Sequence, residues 1–158
     1  MGRRSLVLLV FSMFVFLFGC QAEDPNQSLP EGPTPSSSSP PLLTVTIDNK
    51  TIDTTLGSYC WGNVCTDSED PLLIEKRKDG EPPSFDPNSL VTLSYSETEQ
   101  PDTLHLIYQT KTDQTEVEVF HVEQEFELPE QAGIYYYRTF ASWESGGDLS
   151  HAFRVAVE

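Results

Sequence analysis

Cys60 and Cys65 enclose Trp61-Gly62-Asn63-Val64 in a chain of 158 residues that has one other cysteine, Cys20. Thiols at this spacing could close a disulfide, work as a dithiol redox couple, ligate a metal or stay buried as free thiols. A disulfide needs α-carbons about 4.4–6.8 Å apart, a separation that a tight turn at Gly62-Asn63 between two extended arms supplies. Closing so short a loop stabilises by roughly 2 kcal/mol on the chain-entropy account. A redox couple more naturally reads Cys-x-x-Cys at a helix start, where the helix dipole lowers the thiol pKa. Here four residues intervene and β-formers surround them. A metal would need further converging ligands, and nothing in the spacing of His105, His121 and His151 brings them to the cysteines. The staple is therefore the expected reading. Trp61 beside it reads first as a large apolar cover seating the loop, and second as a platform for a ligand.

Three further groups of residues could carry chemistry. Asp67, Glu69 and Asp70 cluster after Cys65, and calcium takes oxygen ligands of this kind, although the spacing fits no EF-hand loop and a solvated turn reads equally. No cofactor is expected, and calcium at this cluster is the alternative. Tyr136, Phe140 and Trp143 fall on one alternating stretch, so some must face outward, where an aromatic can stack on a sugar ring or anchor a protein partner. The proline-flanked stretch Gly80-Glu81-Pro82-Pro83-Ser84-Phe85 is a conceivable inhibitory loop. No nucleophile elbow, phosphate-binding glycine loop or His-Glu-x-x-His helix occurs, so no catalytic residue is assigned and the chain is not read as an enzyme.

These residues must be positioned by strands. Leu43, Val45 and Ile47 alternate with Thr44 and Thr46. The same period of two recurs in Val91, Leu93 and Tyr95; in Leu104, Leu106 and Tyr108; in Val117 and Val119; in Tyr135, Tyr137, Thr139 and Ala141; and in Phe153, Val155 and Val157. Half-buried antiparallel strands produce this pattern. A short strand is also expected at Glu125 to Leu128, and the best helix, Leu72 to Lys78, is barely two turns. Turn signals at Asp48-Asn49, Asp86-Pro87-Asn88, Gln100-Pro101-Asp102, Thr112-Asp113-Gln114, Pro129 to Gly133 and Ser145 to Asp148 separate the runs. The expected fold is all-β, an antiparallel β-sandwich of about seven strands over residues 42–158.

Leu128-Pro129-Glu130-Gln131-Ala132-Gly133-Ile134-Tyr135-Tyr136-Tyr137 resembles the E-to-F corner of immunoglobulin-like sandwiches, in which a tyrosine early in strand F hydrogen-bonds back to the upstream backbone. Tyr135 matches that tyrosine. Antibody domains carry a cysteine two residues later, where this chain has Tyr137, and the strand-C tryptophan is also missing. The resemblance therefore implies architecture, not activity.

The amino end reads MGRRSLVLLVFSMFVFLFGC: two cations, an apolar run from Leu6 to Phe18, a small residue and a cysteine. That is a secretory leader, shorter than the roughly 17–25 residues of a spanning helix. Leu17-Phe18-Gly19-Cys20 resembles a lipobox. The resemblance implies cleavage after residue 19, diacylglycerol and palmitate on Cys20, and anchorage to the membrane by that cysteine. Residues 20–41, rich in Pro and Ser, form a tether able to reach roughly 60 Å when extended. The layout of lipobox, tether and strand-rich end is similar to small lipoproteins of Gram-positive spore-forming bacteria.

The chain carries 9 basic and 25 acidic side chains; Arg3 and Arg4 leave with the leader, so 9 minus 2 gives seven against 25, a formal −18. Nucleic acid is excluded as a partner by repulsion. The expectation is a lipid-anchored, extracytoplasmic, non-catalytic binding module at the cell membrane, facing a surface protein or a cell-wall component. The alternatives are a metal-handling lipoprotein for calcium, copper or zinc, and a protease-inhibitor-like sandwich.

Overall fold

The computed structural model describes residues 39–96, 100–119 and 124–158. The leader, Cys20, nearly all of the tether and His121 lie outside the described residues.

Two sheets pack face to face. The first has four strands in the order β2-β1-β6-β9, formed by β1 (Leu43–Ile47), β2 (Lys50–Ile52), β6 (Leu90–Tyr95) and β9 (Glu125–Glu127). The second has the order β4-β3-β11-β10-β7-β8, formed by β3 (Thr55–Trp61), β4 (Val64–Thr66), β7 (Thr103–Thr110), β8 (Val117–Val119), β10 (Gly133–Trp143) and β11 (Gly147–Val157). All of these pairs are antiparallel. The exception is the two-residue strand β5 (Ser84–Phe85), which joins β11 in parallel. The seven expected strands are all present, as β1 and β6 to β11. Four more, β2 to β5, together with helix α1 (Pro71–Arg77), come from the segment between β1 and β6.

The local chemistry accounts for each turn. Asp48 and Asn49 both take positive φ, 47° and 63°, the requirement of a type I′ hairpin loop. Between β10 and β11 the positive-φ residue is Gly146, whose N–H donates to the Trp143 carbonyl at 3.0 Å. Strand β3 carries no regular period because Leu56 pairs with His151 and Tyr59 with Leu149, so that Gly57 and Ser58 together oppose Ser150. Such a bulge breaks the alternation on which strand recognition depends.

The core lies between the sheets. Val45, Ile47, Val91 and Leu93 come from one, and Leu106, Tyr137, Phe153 and Val155 from the other, all buried. The Tyr135 hydroxyl donates to the Gln131 carbonyl at 2.7 Å, the tyrosine corner that the sequence suggested. Tyr137 fills the position where antibody domains carry a cysteine. Its ring stacks on Phe153 at 4.9 Å and reaches Phe126 of the opposite sheet at 5.3 Å, so aromatic packing joins the sheets where a disulfide would otherwise cross.

Helix α1 has seven residues, too few to be stable alone. Asp70 caps it by accepting from Leu72 N–H at 2.9 Å, and Pro71 opens its first turn. Leu72 packs on Tyr136 and Ala152 of the outer face of the larger sheet. Pro71 lies over Gly57, where an added Cβ would come within 2.7 Å of its Cγ, so only glycine admits the helix there. Buried Glu75 accepts from Thr55 Oγ1 at 2.6 Å and Lys78 Nζ at 2.5 Å, while Arg154 donates to the carbonyls of Lys78 and Asp79. Arg138, rising from β10, donates to Asp70 at 2.9 Å. The helix thus covers one half of the outer face and leaves the other half open.

Candidate functional site

The open half is a groove of about 420 Å³, lined by Ser58, Thr103, His105, Phe140, Ser142, Asp148 and Ser150 among others. Strand register explains the convergence. Even-numbered residues of β10 and β11 point away from the core, and the pairing aligns them in rows across the strands. One row reads His105, Phe140 and Ser150; the next reads Thr103, Ser142, Asp148 and Cys60. Neighbours within a row are about 4.8 Å apart and the rows about 7 Å apart.

Phe140 is 43% exposed, the one aromatic among the exposed large apolar side chains of the described residues. The Arg138 guanidinium lies 4.9 Å from its ring centre and is itself held by Asp70 at 2.9 Å and Glu116 at 2.7 Å. That guanidinium fixes the ring and occupies part of its surface. Around it, Thr103 and Ser142 hydroxyls share a hydrogen bond at 2.5 Å, and Ser150 Oγ donates to the Ser58 carbonyl at 3.3 Å. Ser58 Oγ donates to Asp67 at 3.1 Å and accepts from Ser68 N–H at 3.0 Å. A hydroxyl that donates inside the protein keeps lone pairs for a ligand. Among the described residues no groove hydroxyl hydrogen-bonds a histidine, so the surface offers donors, acceptors and an aromatic ring, with no paired base for a serine nucleophile.

The sequence-predicted residues are distributed differently from expectation. Trp61, Tyr136 and Trp143, read as ring platforms for a ligand, are 5%, 6% and 6% exposed. Tyr136 lies under α1, and the two tryptophans meet edge to face at 5.1 Å inside the core. Trp61 is the apolar cover of its hairpin. Its ring lies over Gly147, where a Cβ would come within 2.2 Å of it. Of Tyr136, Phe140 and Trp143, Phe140 alone is exposed, and part of its signal was available in the alternation: it is out of phase with Tyr137 and Ala141.

Cys60 and Cys65 are cross-strand partners of the β3–β4 hairpin and form a disulfide. Gly62 takes positive φ at the first loop position, as a type II′ turn requires. The α-carbons are 4.0 Å apart, closer than the range expected from sequence, because the pair one step out from a two-residue turn, here beyond Trp61 and Val64, is a closely spaced non-hydrogen-bonded pair of the ladder. Cys65 is exposed and β4 is an edge strand. Replacing both cysteines with alanine should lower stability by about 2 kcal/mol in urea denaturation while leaving the fold in place. An unchanged midpoint would show that the staple stabilises nothing.

The acidic cluster does not converge. Asp67 serves Ser58, Glu69 pairs with Arg77 at 2.5 Å, and Asp70 caps α1 and holds Arg138. No group of three or more His, Cys, Asp or Glu that could hold a metal ion occurs among the described residues. The stretch from Gly80 to Phe85, read as a conceivable inhibitory loop, is anchored at its far end. Ala156 N–H donates to the Pro83 carbonyl at 2.9 Å, and Phe85 is buried in the core.

The layers, the tyrosine corner and the strand order define an immunoglobulin-like β-sandwich with an inserted hairpin and helix, open on half of its outer face. The chain matches no protein-family model, and no curated protein sequence is similar to it.

Proposed function

We propose that the protein is a non-catalytic binding module, anchored by lipid on Cys20 at the extracytoplasmic face of the cell membrane, which engages a surface or cell-wall component through the groove around Phe140. The observation that carries the reading is a partly exposed phenyl ring, fixed by Arg138 and bordered by hydroxyls, on the rigid centre of a sheet. A ring held there is ordered before any ligand arrives, which lowers the entropic cost of binding. Support for the anchor comes from the leader, the lipobox-like Leu17 to Cys20 and the Pro/Ser tether.

Two measurements test the two halves. Labelled palmitate should enter the parent protein and be absent from Cys20→Ser, and equal labelling of both would remove the anchor. Isolated cell envelopes should retain the purified parent and lose Phe140→Ala, and equal retention would remove the groove.

A further inference from the structure

The groove's charges restrict what it can hold, and we infer that its ligand is an uncharged glycan whose pyranose ring lies against Phe140. This inference rests on the reading of the groove as the binding site. A cation finds the ring already in use, because the Arg138 guanidinium, neutralised by two carboxylates, lies 4.9 Å from its centre, and only the acidity of the surroundings would hold it. An anion is disfavoured by Asp148 in the groove, by Glu118, whose carboxylate sits 3.7 Å from His105, and by the acidity of the whole chain. A neutral ligand is the one that uses the ring and its border of hydroxyls together, and binding of pentalysine would show instead that the acidity selects a cation.

Such a ligand must present an apolar face to the phenyl ring and several hydroxyls to the surrounding atoms. A pyranose does both, with axial C–H groups on one face and hydroxyls around its rim. The rows of the sheet place matching atoms on either side of the ring. His105 and Ser150 flank Phe140 within its row, and Thr103, Ser142 and Asp148 form the next. The Asp148 carboxylate makes no hydrogen bond or ion pair among the described residues, and as a charged acceptor it would bind sugar hydroxyls more strongly than a neutral group. The groove's volume falls within the roughly 300–1,000 Å³ range of small-ligand sites.

Calorimetry of the purified full chain in detergent, titrated with neutral pentasaccharides of glucose, mannose, xylose and N-acetylglucosamine, tests this. Pentalysine, pentaglutamate and a neutral Ala-Gly peptide complete the set. At least one pentasaccharide should bind. Phe140→Ala should weaken it by about tenfold or more, Asp148→Asn by about fivefold, and Phe140→Tyr should retain it. The tyrosine variant separates loss of the ring from loss of the fold. Silence from every pentasaccharide, binding that is indifferent to Phe140→Ala, or binding of a peptide in their place would overturn the inference. Should envelopes still lose Phe140→Ala while all the sugars stay silent, the glycan falls and the groove stands.

Discussion

Trp143→Ala is expected to lower the unfolding free energy by about 3–5 kcal/mol, the range for truncating a large buried aromatic. Trp143 ends β10 beside the turn into β11, and its ring meets Trp61 at 5.1 Å and Tyr95 at 5.3 Å, both edge to face. Tyr95 belongs to the other sheet and Trp61 to the stapled hairpin, so one side chain joins three parts of the domain. Removing it leaves a cavity that these rings cannot close without leaving their own contacts. Phe140→Ala, three residues away on the opposite face, should shift stability by only about 0.5 kcal/mol. Urea denaturation of the two variants beside the envelope assay makes the comparison. If Trp143→Ala kept its stability yet lost envelope binding, the tryptophan would be a ligand contact and the assignment of faces would be wrong.

Acidification gives the second large effect. His151 is fully buried on β11, its Nε2 accepting from Leu43 N–H at 3.4 Å while its Nδ1 has no partner among the described residues. The ring is therefore neutral with its proton on Nδ1. Burial holds its pKa down at about 4, against an ordinary 6.5. Between these values the unfolded chain binds the proton and the folded chain does not. The stabilising contribution is complete above pH 6.5, falls as the pH drops through the window, and is gone near pH 4. A shift of that size corresponds to about 3 kcal/mol. Chemical denaturation at pH 7.5 and pH 4 should show the parent losing that much more than His151→Leu, which cannot charge. The carboxylates titrate alike in both and cancel in the difference. Equal losses would show that His151 does not sense pH. The site of the effect is specific, because Leu43 begins the first strand where the tether enters, and a protonated Nε2 could no longer accept its N–H.

The sequence made some of this legible for physical reasons. Strands β1 and β6 bury one face and solvate the other, and β7, β10 and β11 turn one regular apolar face to the core, so their side chains alternate and can be read. Asp48-Asn49 and Gly62-Asn63 are turns because few residues tolerate the backbone they require. Strands β2, β4 and β5 have two or three residues, too short for a period to show, and the Gly57-Ser58 bulge hides β3. Tyr136 and Phe140 lie on the same outer face and looked equivalent, yet α1 covers only the first.

The sequence alone pointed to the all-β class, the seven principal strands and the disulfide, since each follows from neighbours along the chain or from the geometry of one turn, and to the tyrosine corner through its resemblance to immunoglobulin-like sandwiches. The tertiary structure decided where α1 docks, and with it which half of the outer face stays open. That docking depends on Asp70 meeting Arg138, 68 residues away, on Glu75 meeting Thr55, and on a glycine beneath Pro71. Contacts between residues so far apart in the chain leave no period or motif in the sequence, so the groove around Phe140 became visible only once the sheet and the helix were seen together.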